Sequence, residues 1–124
     1  MDALKKIRQI AGDVASKYAA DVDTHARFPR EAFDALKADG LLAAAVPREL
    51  GGAGASMYEL GQQCSALAQA CSSSGMILAM HHIQVACIAR HAAGTPALLA
   101  WLRELVKHQY LIASATSEVG TYGD

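Results

Sequence analysis

Met76-Ile77-Leu78-Ala79-Met80-His81-His82-Ile83-Gln84-Val85-Ala86-Cys87-Ile88-Ala89 contains no Asp, Glu, Lys or Arg, and its apolar residues run all the way round a helical wheel. A helix of that kind has no face to give to water and has to be enclosed by other elements. At about 14 residues it falls short of the roughly 20 needed to cross a bilayer. It reads as the central helix of a soluble domain. His81, His82 and Gln84 are its polar groups, and the first places to look for function.

The totals agree with a single enclosed core. A chain of 124 residues is one domain by length and can bury well over half of its unfolded surface. With 52% hydrophobic and 19% charged residues it is globular and not disordered. A net charge of −1 without any basic run gives no electrostatic case for nucleic acid or an anionic membrane surface as partner. The N-terminus, Met1-Asp2-Ala3-Leu4-Lys5-Lys6, lacks the continuous apolar core of a signal peptide. Three cysteines without a C-x-x-C point to reduced thiols in a cytoplasmic protein. Cys64 and Cys71 stand ~10 Å apart if they share a helix, too far to bridge, so core packing is expected of them.

Outward from the centre, the flanking segments read as amphipathic helices. Leu4, Ile7, Ala11, Val14 and Tyr18 repeat at helical spacing, and residues 19–26 lose the pattern, as a frayed end and connector would. Phe28-Pro29 opens a second helix with proline at its first position and Ala32, Phe33 and Leu36 inside. Gly40 ends it as a left-handed residue, with Leu41 folding back on Leu36. Residues 41–46 are apolar and followed by Pro47, which predicts a short buried extended connector.

Gly51-Gly52-Ala53-Gly54 allows two readings, a structural bend or a weak phosphate cradle. The bend is better supported, because no strand feeds the run. Ser56 and Glu59 form a capping box for a third helix that buries Leu60, Cys64, Leu67 and Cys71. Ser72-Ser73-Ser74-Gly75 is read as an interruption before the central helix. Beyond it, Gly94 stops the chain and Thr95-Pro96 starts a helix with Leu98, Leu102, Leu105 and Val106 inside and Trp101 off that stripe. Tyr110-Leu111-Ile112-Ala113 looks like a short strand, which has no partner in an otherwise helical chain.

For chemistry, no G-x-S-x-G motif or Cys–His pair with an orienting third group is visible. His81 and His82 are adjacent, so on a helix they point about 100° apart and share one metal poorly. No H-E-x-x-H motif is present, and no metal site is expected. The tail offers hydroxyls from Ser114, Thr116, Ser117 and Thr121, and backbone N–H groups beside Gly120 and Gly123. Such a loop suits the polar edge of a planar cofactor and a pyrophosphate.

Three motifs in order, Phe28-Pro29-Arg30-Glu31, Gly40-Leu41 and Val46-Pro47-Arg48-Glu49-Leu50-Gly51-Gly52-Ala53-Gly54, resemble the N-terminal helical domain of the acyl-CoA dehydrogenases. The likeness continues through the central helix and Gly94-Thr95 to Ser117-Glu118-Val119-Gly120 and Asp124. That tail is similar to the family's T-E-x-G-x-G-S-D stretch, which begins its middle β-domain. The resemblance implies an all-α helical bundle of about five helices over residues 1–109, and a truncated opening of the β-domain over residues 110–124. It covers nearly the whole chain, but only about the first third of a family member.

By that resemblance the full-length protein is an FAD-dependent oxidoreductase that converts an acyl-CoA thioester to the 2-enoyl-CoA. A glutamate base, which lies outside these residues, removes the α-proton while hydride leaves the β-carbon for flavin N5. A hydrogen-bonded thioester carbonyl and donors at the flavin's pyrimidine edge make those steps feasible. Thr116, Ser117 and Gly123 correspond to cofactor-binding positions, with Ser117 in place of the family's threonine. Gly123 and Tyr122 depart from its serine and glycine, a change that relatives with flavin monooxygenase or oxidase chemistry would also accommodate. Ile77, His81 and Val85 share one helical face beside the acyl chain; the competing reading makes His81 a core histidine. Met76, Met80, Ile83 and Cys87 are the face expected to pack on neighbouring helices. The family further implies an electron-transfer acceptor and a homo-oligomer, dimer or tetramer. A reading from another class is a free-standing helical binding or oligomerisation module ending at Asp124.

Overall fold

The computed structural model describes residues 2–120, and its architecture is an all-α bundle. The chain begins with α1 (Ala3–Ile10), capped by the Asp2 carboxylate on the Leu4 N–H. It passes through a π-helical turn (Ala11–Ala15) into α2 (Ser16–His25) without a break. Residues 19–26 are therefore not a frayed connector: helix persists to His25 and ends where Ala26 turns left-handed, at φ 47°. The π turn holds one residue more than an α turn, so it rotates everything after it. The buried stripe of Ile7, Ala11 and Ala15 is thereby handed to Val22, and Tyr18, expected inside, is left 40% exposed. The far end is tied down by Arg27, whose guanidinium spans Asp21 at 2.6 Å and Glu31 at 3.0 Å.

Helix α3 (Arg30–Ala38) uses Pro29 as its cap rather than as its first residue. Gly40, at φ 70°, closes it with a bond from its N–H to the Lys37 carbonyl, and Leu36 and Leu41 share the core beneath. Residues 41–46 are buried as expected but not extended: Leu41–Ala43 coils into a 3-10 turn. Proline restricts only the residue before it, Val46, and leaves Leu41 and Leu42 free to coil.

A second 3-10 turn (Arg48–Leu50) leads into the glycine run, which is a bend. The N–H groups of Gly51, Gly52, Ala53, Gly54 and Ala55 bond to the carbonyls of Arg48, Pro47, Ala43, Val46 and Ala44. None is left to cradle a phosphate. A Cβ on Gly52 would fall inside the Val46 carbonyl, so glycine serves close backbone approach here.

Helix α4 (Met57–Ala68) starts from the Ser56–Glu59 capping box, both of whose bonds form. The serine run is not an interruption. It is the first turn of α5 (Ser72–His91), which makes the central helix 20 residues long. Ser74 and Gly75 are buried there, and a Cβ on Gly75 would strike the Ala68 backbone. Small residues at this crossing let α4 and α5 make the most extensive helix–helix contact in the molecule. Helix α6 (Pro96–His108) follows, with Leu102 and Leu105 fully buried.

Two apolar clusters meet on α5. Leu78 belongs to the cluster formed with Ile7, Phe33, Leu36 and Leu67; Val85 belongs to that formed with Val46, Leu102 and Leu105. The inward face of α5 carries Leu78, His81, His82 and Val85. Met76 and Ile83 are 63% and 47% exposed and Cys87 is exposed, so the face expected to pack points outward. An apolar circumference fixes no orientation; His81 is drawn inside by the partners described below. Residues 110–113 join no sheet, and the described residues contain no strand. Instead Leu111 packs on the first cluster and Ile112 on the second. No helix among the described residues is long and apolar enough to cross a membrane.

Candidate functional site

The middle of α5 is where the C-terminal segment comes back across the bundle. The Ile112 N–H donates to His81 Nδ1 at 3.1 Å. That bond leaves Nδ1 without a proton, so the proton sits on Nε2, which donates to the Leu42 carbonyl at 2.7 Å. His81 is thus a neutral imidazole with both nitrogens engaged, joining the 3-10 turn, α5 and the tail. Burial pushes its pKa down, against the opposing pull of the Leu42 bond.

One helical turn on, Gln84 donates from Nε2 to Ser114 Oγ at 2.9 Å. Gln109, left-handed at φ 51°, ends α6 and closes the same seam. Its side chain accepts from the Leu42 N–H at 2.9 Å and donates to the Val106 carbonyl at 2.8 Å.

His82 contrasts with its neighbour. It is 2% exposed, and neither ring nitrogen has a hydrogen-bond partner. Desolvation, reinforced by the nearby His81, lowers its pKa to about 3.

Of the residues read as substrate-facing, Ile77, His81 and Val85 do share one side of α5, and that side is turned inward. Ile77 is half-buried against the first cluster and Val85 is completely buried in the second. The opposite side borders a groove of about 530 Å³, lined by Ile83, Ala86, Cys87 and Arg90 of α5 with Met57 and Leu60 of α4. Sequence reasoning missed this groove; the available signal was a helix with more apolar surface than one core can take. Thr116 and Ser117 are exposed and make no hydrogen bond within the described residues. Gly123, the third residue read as cofactor-binding, lies outside the described residues, as do Tyr122 and Asp124.

Residues 2–118 match the family model described as the acyl-CoA dehydrogenase N-terminal domain. The chain belongs to the acyl-CoA dehydrogenase family. Among its relatives, a protein of Mycobacterium leprae named probable acyl-CoA dehydrogenase fadE25 is 53% identical over 49 residues, 40% of this chain. Proteins of the same name from Mycobacterium bovis and Mycobacterium tuberculosis are 47% identical over 49 residues. Each match spans 13% of the relative's own length. No solved structure matches the chain with significance. The helical bundle and the family agree: this is the architecture of an acyl-CoA dehydrogenase N-terminal domain.

Proposed function

We propose that this chain is the N-terminal domain of an FAD-dependent acyl-CoA dehydrogenase, presenting hydroxyl groups to the flavin and contributing to the wall beside the acyl chain of an acyl-CoA substrate. The observation that carries the proposal is a pair of unengaged hydroxyls, Thr116 and Ser117, at the end of a segment hydrogen-bonded to the core of a family-matched domain. Their donor chemistry fits the polar edge of a flavin, with backbone N–H groups beside Gly120 as further donors. When bound, FAD supplies the hydride acceptor for α,β-dehydrogenation.

Of the face read as substrate-facing, His81 and Val85 are fully buried inside the domain, which leaves the half-buried Ile77 as the residue of that face to meet an acyl chain in this reading. His81, neutral and with both nitrogens engaged inside the bundle, supports that wall from behind rather than touching the chain. The α-proton goes to a base that these residues do not contain, so the isolated chain turns over no acyl-CoA. The full-length enzyme passes electrons to an electron-transfer acceptor and assembles as a homo-oligomer. A cytoplasmic setting suits three cysteines that form no disulfide.

The test is a chimera in which this chain replaces the matching N-terminal segment of a fadE25-type relative. Anaerobic addition of acyl-CoA should bleach the bound flavin. A flavin-loaded chimera that acyl-CoA leaves oxidised, or turnover by the 124-residue chain alone, sinks the proposal. Oxygen consumption coupled to substrate loss would move the assignment to a monooxygenase or oxidase of the same fold, an alternative with which Tyr122 and Gly123 are also compatible.

A further inference from the structure

We infer that His81 and Gln84 are positioning residues, a two-point clamp on α5 that sets where residues 116 and 117 meet the flavin. The inference rests on the functional reading above and adds a role that burial alone would not give His81. Residues three apart on a helix lie on one side of it, separated by about 4.5 Å along the axis. Their targets, the Ile112 N–H and the Ser114 hydroxyl, are two residues apart on the returning chain. One attachment would fix a point and leave the chain free to pivot. Two attachments at different heights fix its direction as well, and Thr116 lies only two residues beyond the second.

The clamp is directional in its chemistry. Ile112 offers a donor, so His81 must accept at Nδ1; Leu42 offers an acceptor, so the proton must be on Nε2. Position 81 thus needs an acceptor toward the tail and a donor toward the 3-10 turn, a combination that the neutral imidazole supplies in one rigid ring. Among the described residues, His82 is the titratable neighbour coupled to His81, its ring centroid 5.5 Å away. The 3-10 turn brings only apolar residues, and α6 brings the uncharged Gln109.

Two substitutions separate the two bonds. In His81→Asn the amide reaches the Nδ1 position and can still accept from Ile112; in His81→Gln it reaches the Nε2 position and keeps Leu42 instead. Amide hydrogen exchange measured by NMR on the 124-residue chain should show Ile112 protected in the wild type and in H81N. In H81Q its exchange should speed by about tenfold, the effect of losing one hydrogen bond. In the flavin-loaded chimera, H81Q and H81N each give up one buried bond and should lower the melting temperature of the apoprotein to a similar extent, whereas FAD binding should weaken in H81Q and Q84A and be retained in H81N.

Equal Ile112 protection in H81N and H81Q overturns the clamp. Lost protection with unmoved FAD affinity overturns the positioning role and leaves the flavin reading standing. A wild-type chimera that takes up no flavin overturns the functional reading and the positioning role together, whatever the exchange data show.

Discussion

His81 and His82 are consecutive residues, both buried on the inner side of α5, yet the first has both ring nitrogens hydrogen-bonded and the second has neither. Their replacements should therefore move stability in opposite directions. His81→Leu leaves the Ile112 N–H and the Leu42 carbonyl without partners and should cost about 2–4 kcal/mol. His82→Leu removes two unsatisfied nitrogens at similar volume and should stabilise by about 1–2 kcal/mol. Urea denaturation of the two variants beside the wild type checks both signs.

Acid should unfold the domain through the same pair. Both histidines have their pKa lowered in the fold, His82 to about 3, whereas the unfolded chain protonates near the ordinary 6.5. Below pH 6.5 the unfolded state binds protons that the folded state refuses, so stability is complete above that pH and falls as pH drops toward 3. The slope from His82 alone is about 1.4 kcal/mol per pH unit inside that window. Denaturation midpoints between pH 7.5 and 4 should follow this fall, and His82→Leu should flatten it. A wild-type profile level through pH 5 would contradict the placement of His82.

The orientation of α5 can be read from thiol chemistry. Cys87 is exposed, Cys64 is half-buried with its thiol pKa raised by burial, and Cys71 is buried. A thiol-specific reagent under native conditions should therefore label Cys87 first, and Cys87→Ser should remove that fast phase. Rapid labelling of Cys71 instead would mean that the α4–α5 pair is packed differently.

Gly75→Ala tests how closely that pair approaches. The added methyl meets the Ala68 backbone, which cannot swing away as a flexible side chain would. The helices must separate, and a loss of about 2–3 kcal/mol is expected. The same substitution at Gly61, where a Cβ meets nothing within 4 Å, should instead be neutral or mildly stabilising. Thermal melts of the two variants make the comparison.

Local chemistry was legible in the sequence wherever one residue dictates one bond. The Ser56–Glu59 box, the left-handed Gly40 and the Pro96 start all stand where their residues place them. What the chain did not reveal was rotation. Nothing local marks the π turn at 11–15, and without it the stripe continues to Tyr18 rather than Val22. Nor does an apolar circumference say which side of α5 faces in; that choice is made by Leu42 and Ile112, distant in sequence and brought to His81 only by the fold. The serine run misled because polar residues mark loops on average, whereas Ser74 and Gly75 are here for their small size. Thr116 and Ser117 were singled out by their hydroxyls and their likeness to the family's motif, whereas the bonds from Ile112 to His81 and from Gln84 to Ser114 join residues some thirty positions apart, which only the fold brings together.

The π segment sets an angle rather than a length. Removing one residue from 11–15 would restore ordinary α winding and swing residues 16–25 by about 100° about the rod. Tyr18 would turn toward the core, Val22 away from it, and the Asp21–Arg27–Glu31 bracket would lose its alignment. The first rod of this domain is in effect two helices coupled through a gear tooth, and a one-residue insertion or deletion in that rod is a turn of the screw before it is a change of reach.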